Sequence, residues 1–190
     1  MDAKVSEFGK IGDILVLPLF EGTDKAPNNA LNGLSRTQRS LVNDALASDS
    51  FSGKSGKHLH VWTSGCQVVL VGMGQNPSEK ECRDGGAKTL AALGKDHGTN
   101  ITVRFTTGWT SSMMSLFAEG MILRDYDFDK YLQKDEDDFQ GDWSLDCQAS
   151  ARHQDALGSA VSKSIAISKG VHIARDLGNE PANVMYPEEF

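Results

Sequence analysis

A run of seven apolar residues near the start of the chain constrains the fold more than any other segment. The run comprises Ile14, Leu15, Val16, Leu17, Pro18, Leu19 and Phe20. It is too short for a helix and is rich in residues that favour strands, so it predicts a strand buried within a sheet. Because proline cannot donate a ladder hydrogen bond, Pro18 predicts that this strand lies at the edge of the sheet or ends early.

Two helices are marked by capping boxes, in which a serine and a residue three places later satisfy the first backbone amides of a helix. Ser35 with Gln38 begins a helix whose apolar face is Leu41, Val42, Ala45 and Leu46. Ser78 with Glu81 begins a second helix, with a stripe of Cys82, Gly85, Gly86, Thr89, Leu90 and Leu93. Glycine weakens a helix interior, so the two adjacent glycines predict a closely approaching neighbour, which we expect to be a strand.

The remaining segments alternate between strand and helix patterns. Strands are predicted at residues 58–63 and 67–73, which form a hairpin, and at residues 101–106 and 143–149. One helix presents Met113, Leu116, Phe117 and Gly120. A long helix follows from about His153 to Leu177, with an inward face of Leu157, Ala160, Val161, Ser164, Ile165 and Ser168. Gly178 stands where a left-handed C-cap belongs. This order predicts an α/β fold with a mixed sheet flanked by helices on both faces.

Composition places the chain among soluble globular proteins. Its 190 residues are 39% hydrophobic and 24% charged, with a net charge of -7, so we expect one domain and little affinity for the phosphates of nucleic acid. No apolar run reaches the ~18 residues of a membrane span, and the start lacks the pattern of a signal peptide. Cys66, Cys82 and Cys147 form no C-x-x-C pair and are expected to be reduced and buried. We therefore expect a cytoplasmic protein.

Two local patterns have features of a binding site. Gly72-Met73-Gly74 follows a strand and precedes a helix, as in a dinucleotide-binding fingerprint, but the third glycine position holds Pro77. We interpret it as a plain strand-to-helix turn, with nucleotide binding as the alternative. His58 and His60 point to the same face of a strand and could share a metal. No third ligand lies nearby in the sequence, so we interpret them as a structural or surface pair.

The acidic run Asp135-Glu136-Asp137-Asp138 is interpreted as a solvated loop, with a metal or cationic-partner site as the alternative. His97, His153 and His172 are isolated in the sequence. The Gly-x-Ser-x-Gly and His-Glu-x-x-His motifs are absent. The residues alone therefore predict an α/β domain with no visible catalytic centre, and we assign no catalytic, cofactor-binding or metal-binding residue.

Two segments of the chain are similar to the leucyl aminopeptidase family. Residues 118–131, AEGMILRDYDFDKY, resemble a family stretch with Glu-Gly, an aliphatic pair and Tyr-x-Phe-Asp-x-Tyr. Residues 170–183 resemble the signature Arg-Asp-Leu-x-Asn-Glu-Pro-x-Asn, and residues 186–190 are close to Thr-Pro-x-x-Phe. Weaker agreement covers residues 20–22, 69–74 and 85–87. Gly178 departs from the family, which often has an aliphatic residue there.

The resemblance implies the amino-terminal domain of a two-domain, hexameric metallo-exopeptidase with a macro-domain-like mixed sheet. Residues 1–150 would form the domain core, residues 151–178 a long helix packing on it, and residues 179–190 the start of a linker to a catalytic domain missing from this chain. Two divalent metals, zinc or manganese, would belong to that catalytic domain, so no functional residue is carried over. The implied role of this domain is assembly, shielding of the active-site cavity and regulation.

Two alternative functions remain open at this point. Macro-like folds bind ADP-ribose in loops at strand ends, although this sequence lacks the glycine-rich phosphate loop that such binding needs. Some bacterial members of the family also associate with DNA, but the acidic balance and the absence of a basic stripe disfavour that role here.

Overall fold

A computed structural model describes residues 2–27, 29–48, 51–94, 100–132 and 143–184 of the chain. The strands in these ranges are β1 (Asp2–Ser6), β2 (Ile14–Leu19), β3 (His58–Thr63), β4 (Cys66–Gly72), β5 (Asn100–Arg104) and β6 (Ser144–Gln148). The helices are α1 (Arg36–Ala47), α2 (Glu79–Leu93), α3 (Ser111–Arg124) and α4 (Gln154–Asn179), and a 3-10 turn at Ala151–His153 precedes α4.

The strands form one mixed sheet in the spatial order β1-β6-β5-β2-β4-β3. Neighbouring strands run parallel except β3 and β4, which form the antiparallel hairpin that the sequence predicts. Alternate residues of β2 point to opposite faces. Leu15 and Leu17 join a core with α1, whereas Ile14 and Val16 join a core with α2, α3 and α4. The α/β architecture with helices on both faces is therefore confirmed.

The strand β2 lies in the middle of the sheet, so the expectation that Pro18 places it at an edge is wrong. β4 pairs with β2 along its whole length, whereas β5 pairs only with Ile14–Val16. Pro18 lies beyond the last β5 contact, where its missing amide hydrogen removes no ladder hydrogen bond. Its carbonyl oxygen has a partner as well, because the indole N–H of Trp109 donates to it at 3.2 Å.

Both predicted capping boxes are present, at the starts of α1 and α2. On α1, Val42 and Leu46 are buried against the sheet as expected. Leu41 was placed on the same face, but its side chain is 45% exposed. Neighbouring residues of a helix are about 100° apart around its axis, so Leu41 points away from the core that Val42 enters.

The helices α2 and α3 touch through their backbones, and glycine permits that contact. A Cβ atom added at Gly86 of α2 would lie 2.8 Å from the carbonyl carbon of Phe117 on α3. One added at Gly120 of α3 would lie 2.8 Å from the carbonyl carbon of Arg83 on α2. The close neighbour that the glycines predict therefore exists, but it is a helix and not the expected strand. Gly85 instead faces a methionine side chain.

The helix α4 packs on the domain through one face, whose buried residues are Leu157, Val161, Ser164 and Ser168. Ala160 and Ile165, also expected inward, are only half-buried. The helix continues through Gly178 to Asn179, and Glu180 is extended. The predicted left-handed C-cap at Gly178 is therefore wrong. The residue before a proline disfavours the helical conformation, so Pro181 explains why the helix ends where it does.

A buried arginine ties two loops to the sheet. The guanidinium of Arg104 on β5 donates twice to the side-chain oxygen of Gln148, at 3.0 and 2.6 Å. It also donates to the carbonyl oxygens of Gly9, Ala30 and Asn32 at 3.0, 3.0 and 2.7 Å. Burial lowers the pKa of Arg104. A buried cation is tolerable when its hydrogen-bond donors have acceptors, and this set of five bonds uses every guanidinium N–H.

The substitution Gly86→Ala is expected to lower the free energy of unfolding by about 1–3 kcal/mol, because its methyl group would overlap the α3 backbone. Gly158→Ala is the matched control: it adds the same methyl group in α4, where no atom lies within 4 Å. That change should raise stability by up to about 1 kcal/mol through helix propensity. Urea denaturation measures both values, and equal effects would contradict the proposed backbone contact.

Candidate functional site

A buried carboxylate joins the three helices on one face of the sheet. Glu119 on α3 is 7% exposed. Its Oε1 atom accepts a hydrogen bond from Arg83 Nε on α2 at 2.7 Å, and its Oε2 atom accepts one from Ser164 Oγ on α4 at 3.0 Å. Gly120, the next residue, provides the backbone contact with α2. The Glu119-Gly120 pair therefore fixes α2, α3 and α4 relative to one another.

Tyr126, just beyond α3, is the centre of a second set of contacts with α4. Its hydroxyl donates to Asp176 Oδ1 at 2.9 Å and accepts from Asn179 Nδ2 at 3.1 Å. The Arg175 guanidinium lies 5.3 Å from the centre of the Tyr126 ring. The centre of the His172 ring also lies 5.3 Å from the centre of the Tyr126 ring, and the two ring planes are inclined at 44°. Desolvation, together with the neighbouring Asp176 carboxylate, raises the pKa of Tyr126.

The end of α3 is held by the same helix. Arg175 Nη1 donates to the carbonyl oxygen of Leu123 at 2.9 Å. Carbonyls in the last turn of a helix have no partner within that helix, so this bond satisfies an acceptor that would otherwise face solvent. Arg175 thus serves two contacts at once, one with the α3 backbone and one with the Tyr126 ring.

Beyond the end of α4, Glu180 is bound by two side chains of the segment that follows α3. Lys130 Nζ and Tyr131 Oη both donate hydrogen bonds to its carboxylate. The hydrogen bond from Lys130 is the largest cause of the lowered pKa of Glu180, and the hydrogen bond from Tyr131 is the next. The hydrogen bond between Lys130 and Glu180 also raises the pKa of Lys130. We call these three residues the Glu180 clasp.

The two sequence segments that resemble the leucyl aminopeptidase family therefore contact each other. Residues 118–131 supply Leu123, Tyr126, Lys130 and Tyr131, and residues 170–183 supply His172, Arg175, Asp176, Asn179 and Glu180. We call this region the α3–α4 junction. Its polar groups hold one helix against another. The resemblance located both segments but did not indicate this contact, which joins residues about fifty positions apart in the chain.

A cleft of about 240 Å³ opens beside the junction and is lined by Arg83, Arg124, Arg175 and Tyr126 among others. Two of these arginines are already engaged, Arg83 with Glu119 and Arg175 with the Leu123 carbonyl. Asp84 also lines the cleft. The acidic neighbours offset the cationic side chains, so the cleft does not form a strongly basic pocket.

The backbone amides of the turn at Gly72-Met73-Gly74 all donate hydrogen bonds within the protein. Its three amide groups donate to the carbonyl oxygens of Lys57, Leu19 and Gly53, at 2.8, 2.9 and 2.9 Å. A phosphate-binding loop needs amide donors that point at the ligand, and these three are engaged. The interpretation as a strand-to-helix turn agrees with this arrangement.

Ligands of open α/β sheets commonly bind beyond the carboxyl ends of the strands where the strand order reverses, here between β2 and β5. Aromatic side chains fill that position. The rings of Phe20 and Trp109 stack with their centres 5.4 Å apart, and the ring centres of Phe105 and Trp109 are 5.0 Å apart. Trp109 is only 2% exposed. These rings therefore pack together beyond the ends of β2 and β5.

Each of the two histidines of β3 lies beside a polar side chain of a neighbouring element. His60 Nδ1 lies 2.8 Å from Gln67 Nε2 on β4, and His58 Nε2 lies 3.5 Å from Thr89 Oγ1 on α2. Burial lowers the pKa of His58. Among the residues that the structure describes, no three His, Cys, Asp or Glu side chains come together as a metal site. His97 and the run Asp135–Asp138 lie outside the described residues.

The three cysteines are free. Burial raises the pKa of the Cys82 thiol to about 11 and that of Cys147 to about 12. A thiolate is the nucleophilic form of cysteine, so these side chains are held in their unreactive form near neutral pH.

A second feature that the sequence analysis missed is an apolar surface on the outward side of α4. The exposed residues are Ala166, Ile167, Gly170, Ile173, Ala174, Leu177 and Gly178, which we call the outer α4 face. Their spacing repeats every three or four residues, which could have identified a second apolar stripe in the sequence. Only the stripe that packs inward was predicted. No helix in the described ranges is both long and apolar enough to cross a membrane.

Comparison with known proteins identifies relatives. Residues 16–135 match the family described as the cytosol aminopeptidase family, N-terminal domain. A probable cytosol aminopeptidase of Methylorubrum populi is 33% identical over 198 residues, covering 98% of this chain and 38% of that protein. One of Rhodopseudomonas palustris is 32% identical over 157 residues, covering 78% of this chain and 31% of that protein. The chain thus spans about a third of the length of these relatives.

Two solved structures share the fold. A tomato leucine aminopeptidase mutant superposes with a TM-score of 0.76 at 22% identity, covering 99% of this chain and 40% of that one. The bottromycin maturation enzyme BotP gives a TM-score of 0.64 at 19% identity, covering 93% of this chain and 34% of that one. In both, the match takes up well under half of the longer chain.

The substitution Glu119→Gln is expected to lower the free energy of unfolding by about 1.5 kcal/mol, because it weakens two charge-assisted hydrogen bonds of which the Arg83 end is partly solvated. Glu7→Gln, an exposed change outside the helices, should stay within about 0.5 kcal/mol of the unaltered chain. Chemical denaturation of the two variants side by side provides the comparison. Indistinguishable midpoints would show that Glu119 does not join the helices.

The Glu180 clasp predicts a change in titration. In Lys130→Met the pKa of Glu180 should rise toward the ordinary glutamate value of about 4.3, whereas Lys163→Met, a change on the exposed side of α4, should leave it unchanged. Because the folded-state pKa is depressed, the clasp stabilises the fold above the unfolded-state pKa. That stabilisation is lost as the pH falls through the folded-state pKa. NMR titration of the side-chain carboxyl carbon tests this, and an unaltered pKa in Lys130→Met would contradict the clasp.

Proposed function

The chain belongs to the cytosol aminopeptidase family through its amino-terminal domain, and from that premise we propose that it is the non-catalytic scaffold domain of a metal-dependent aminopeptidase. The parent enzyme would remove amino-terminal residues from peptides. In it, this domain would serve assembly and the shielding of the active-site cavity.

The α3–α4 junction is the observation that carries the proposal. In an enzyme domain, the residues of a family signature would be expected to surround a cavity with reactive groups. Here Tyr126 contacts Arg175 and Asp176 of α4 instead. Glu180 accepts hydrogen bonds from Lys130 and Tyr131. Such contacts fix the direction in which α4 leaves the domain, and that is the task of a scaffold.

The proposed partner of this domain is the catalytic portion that makes up the rest of its relatives. The matched segment is 38% of the Methylorubrum populi protein, so most of that protein lies outside the match. We propose that residues 179–190 begin the linker to such a portion; residues 185–190 lie outside the described ranges. The full protein would form a homo-hexamer in the cytoplasm, without membrane or nucleic-acid partners.

The proposed metals are two divalent ions, zinc or manganese, bound by the catalytic portion. The bottromycin maturation enzyme with the same fold is described in complex with Mn. Two-metal hydrolysis needs carboxylates that hold the ions about 3.5–4 Å apart. The donor set in the described part of this chain does not fit two ions, since no three candidate ligands lie together there. We therefore derive no catalytic step for these residues.

The chain by itself is expected not to hydrolyse leucine p-nitroanilide, even with excess manganese or zinc, because the residues that would hold and polarise the water are assigned to another portion of the enzyme. The assay is release of p-nitroaniline by the purified chain. Metal-dependent turnover that disappears in Asp137→Ala would contradict the proposal. Turnover that is unaffected by this change would identify a contaminating peptidase.

Light scattering on the same sample should give a monomer or small oligomer, and a stable hexamer would contradict the assignment of the main contacts to the catalytic portion.

A further inference from the structure

We propose that the outer α4 face is the docking surface for an α-helix of the catalytic portion, which crosses α4 closely at Gly170 and Ala174. This inference rests on the proposed function, because it names the place where the two portions of the enzyme meet. It follows from the exposure of the face, from the position of its glycines and from the length of the relatives.

The outer α4 face is apolar and has no cover within the described residues. Ile173 is 60% exposed, Ile167 is 45% exposed and Leu177 is 41% exposed. Ile173 and Leu177 lie on the side of α4 opposite the buried residues Leu157 and Val161, and Ile167 lies at the border between the two sides. A helix on the surface of a single domain is normally polar on its outward side, so an apolar stripe on both sides indicates a helix packed between two bodies.

The glycines of this face are not explained by the domain itself. A Cβ atom added at Gly170 or Gly178 would meet no atom within 4 Å, in contrast to one added at Gly86 or Gly120. Neither residue has a positive φ, so the α4 backbone does not require glycine there. Glycine disfavours a helix relative to alanine. Glycine at these positions therefore lowers the stability of α4, and no contact within the described residues requires it.

The small residues are spaced for the approach of another helix. Ala166, Gly170, Ala174 and Gly178 recur every four residues, which lines them up along one side of α4, with Ile173 and Leu177 beside them. The distance between two packed helices depends on the side chains at their contact. The α2–α3 pair of this chain is an example, because Gly86 and Gly120 allow backbone contact there. We assign a similar close crossing to the outer α4 face.

The length of the relatives identifies the occupant. The match covers 40% of the tomato leucine aminopeptidase chain, so about 60% of that chain lies outside it. A covalently joined portion docks at high effective concentration and needs only a modest surface. The outer α4 face is a strip roughly 18 Å long by helix rise. Stable association of two free copies buries about 1,200 Å² or more, which favours the joined portion over a second copy.

The experiment mixes this chain with the purified portion of the Methylorubrum populi aminopeptidase that follows the matched segment, after circular dichroism has shown that portion to be folded. Calorimetry measures the dissociation constant. Gly170→Leu should weaken binding at least tenfold, because its side chain blocks the close crossing, and Ile173→Asp should do the same. Gly158→Leu is the matched control: it lies on α4 outside the outer face and also points into open space, so binding should change by less than twofold.

Thermal unfolding separates docking from folding. Gly170→Leu should raise the melting temperature of the isolated chain by a few degrees, because leucine favours a helix and nothing obstructs it there. A more stable chain that binds less tightly cannot be explained by damage to the fold. Binding unchanged in Gly170→Leu and Ile173→Asp would overturn the docking surface while leaving the scaffold role intact.

Two other outcomes would also decide the matter. If the unaltered chain does not bind the separate portion, the same substitutions are compared in a protein that joins the two portions. There Gly170→Leu should lower the melting temperature that it raises in the isolated chain, because it uncouples the two portions, and an unchanged or higher melting temperature would overturn the docking surface. If light scattering shows a dimer of this chain that Ile173→Asp dissociates, the outer α4 face pairs with a second copy, and the assigned occupant is wrong.

Discussion

The close contact between α2 and α3 is the constraint on which the helical layer depends. Because Gly86 and Gly120 have no side chain, the two backbones can approach until carbonyl groups and Cα atoms touch. That approach brings Arg83 within reach of Glu119, whose second oxygen then binds Ser164 on α4. A larger residue at either glycine would separate the helices and leave a buried carboxylate with poorer partners, which is costly in a protein interior.

The sequence was sufficient for the architecture because that architecture rests on local signals. Two capping boxes mark helix starts, and a short apolar run marks the central strand; each depends on residues a few positions apart. The edge position expected from Pro18 was wrong, since the place of this residue in the sheet depends on how far β5 extends, and that is a long-range property. The C-cap expected at Gly178 was wrong because the conformation of the helix end is set by the following Pro181 and not by the glycine.

The candidate site was less accessible to sequence reasoning. The resemblance located both segments of the α3–α4 junction, but no periodicity indicates that Tyr126 contacts Asp176 or that Lys130 contacts Glu180. Those pairs are joined by topology, because α4 returns across α3 after the chain has completed β6. The aromatic filling of the strand ends was equally hidden, since Phe20 and Trp109 are far apart in sequence and meet only once β2 and β5 are paired.

The bonds of Arg104 also bear on the order in which the chain can fold. Its acceptors lie 95, 74 and 72 residues earlier, at Gly9, Ala30 and Asn32, and 44 residues later, at Gln148. During synthesis the early loops emerge long before β5 and β6, so the full set of five bonds forms only after β6 has paired beside β5. Contacts of such wide separation form late and make folding slow. The guanidinium therefore links the first loops of the chain to its last strand, and all five of its N–H groups have acceptors only when both are in place.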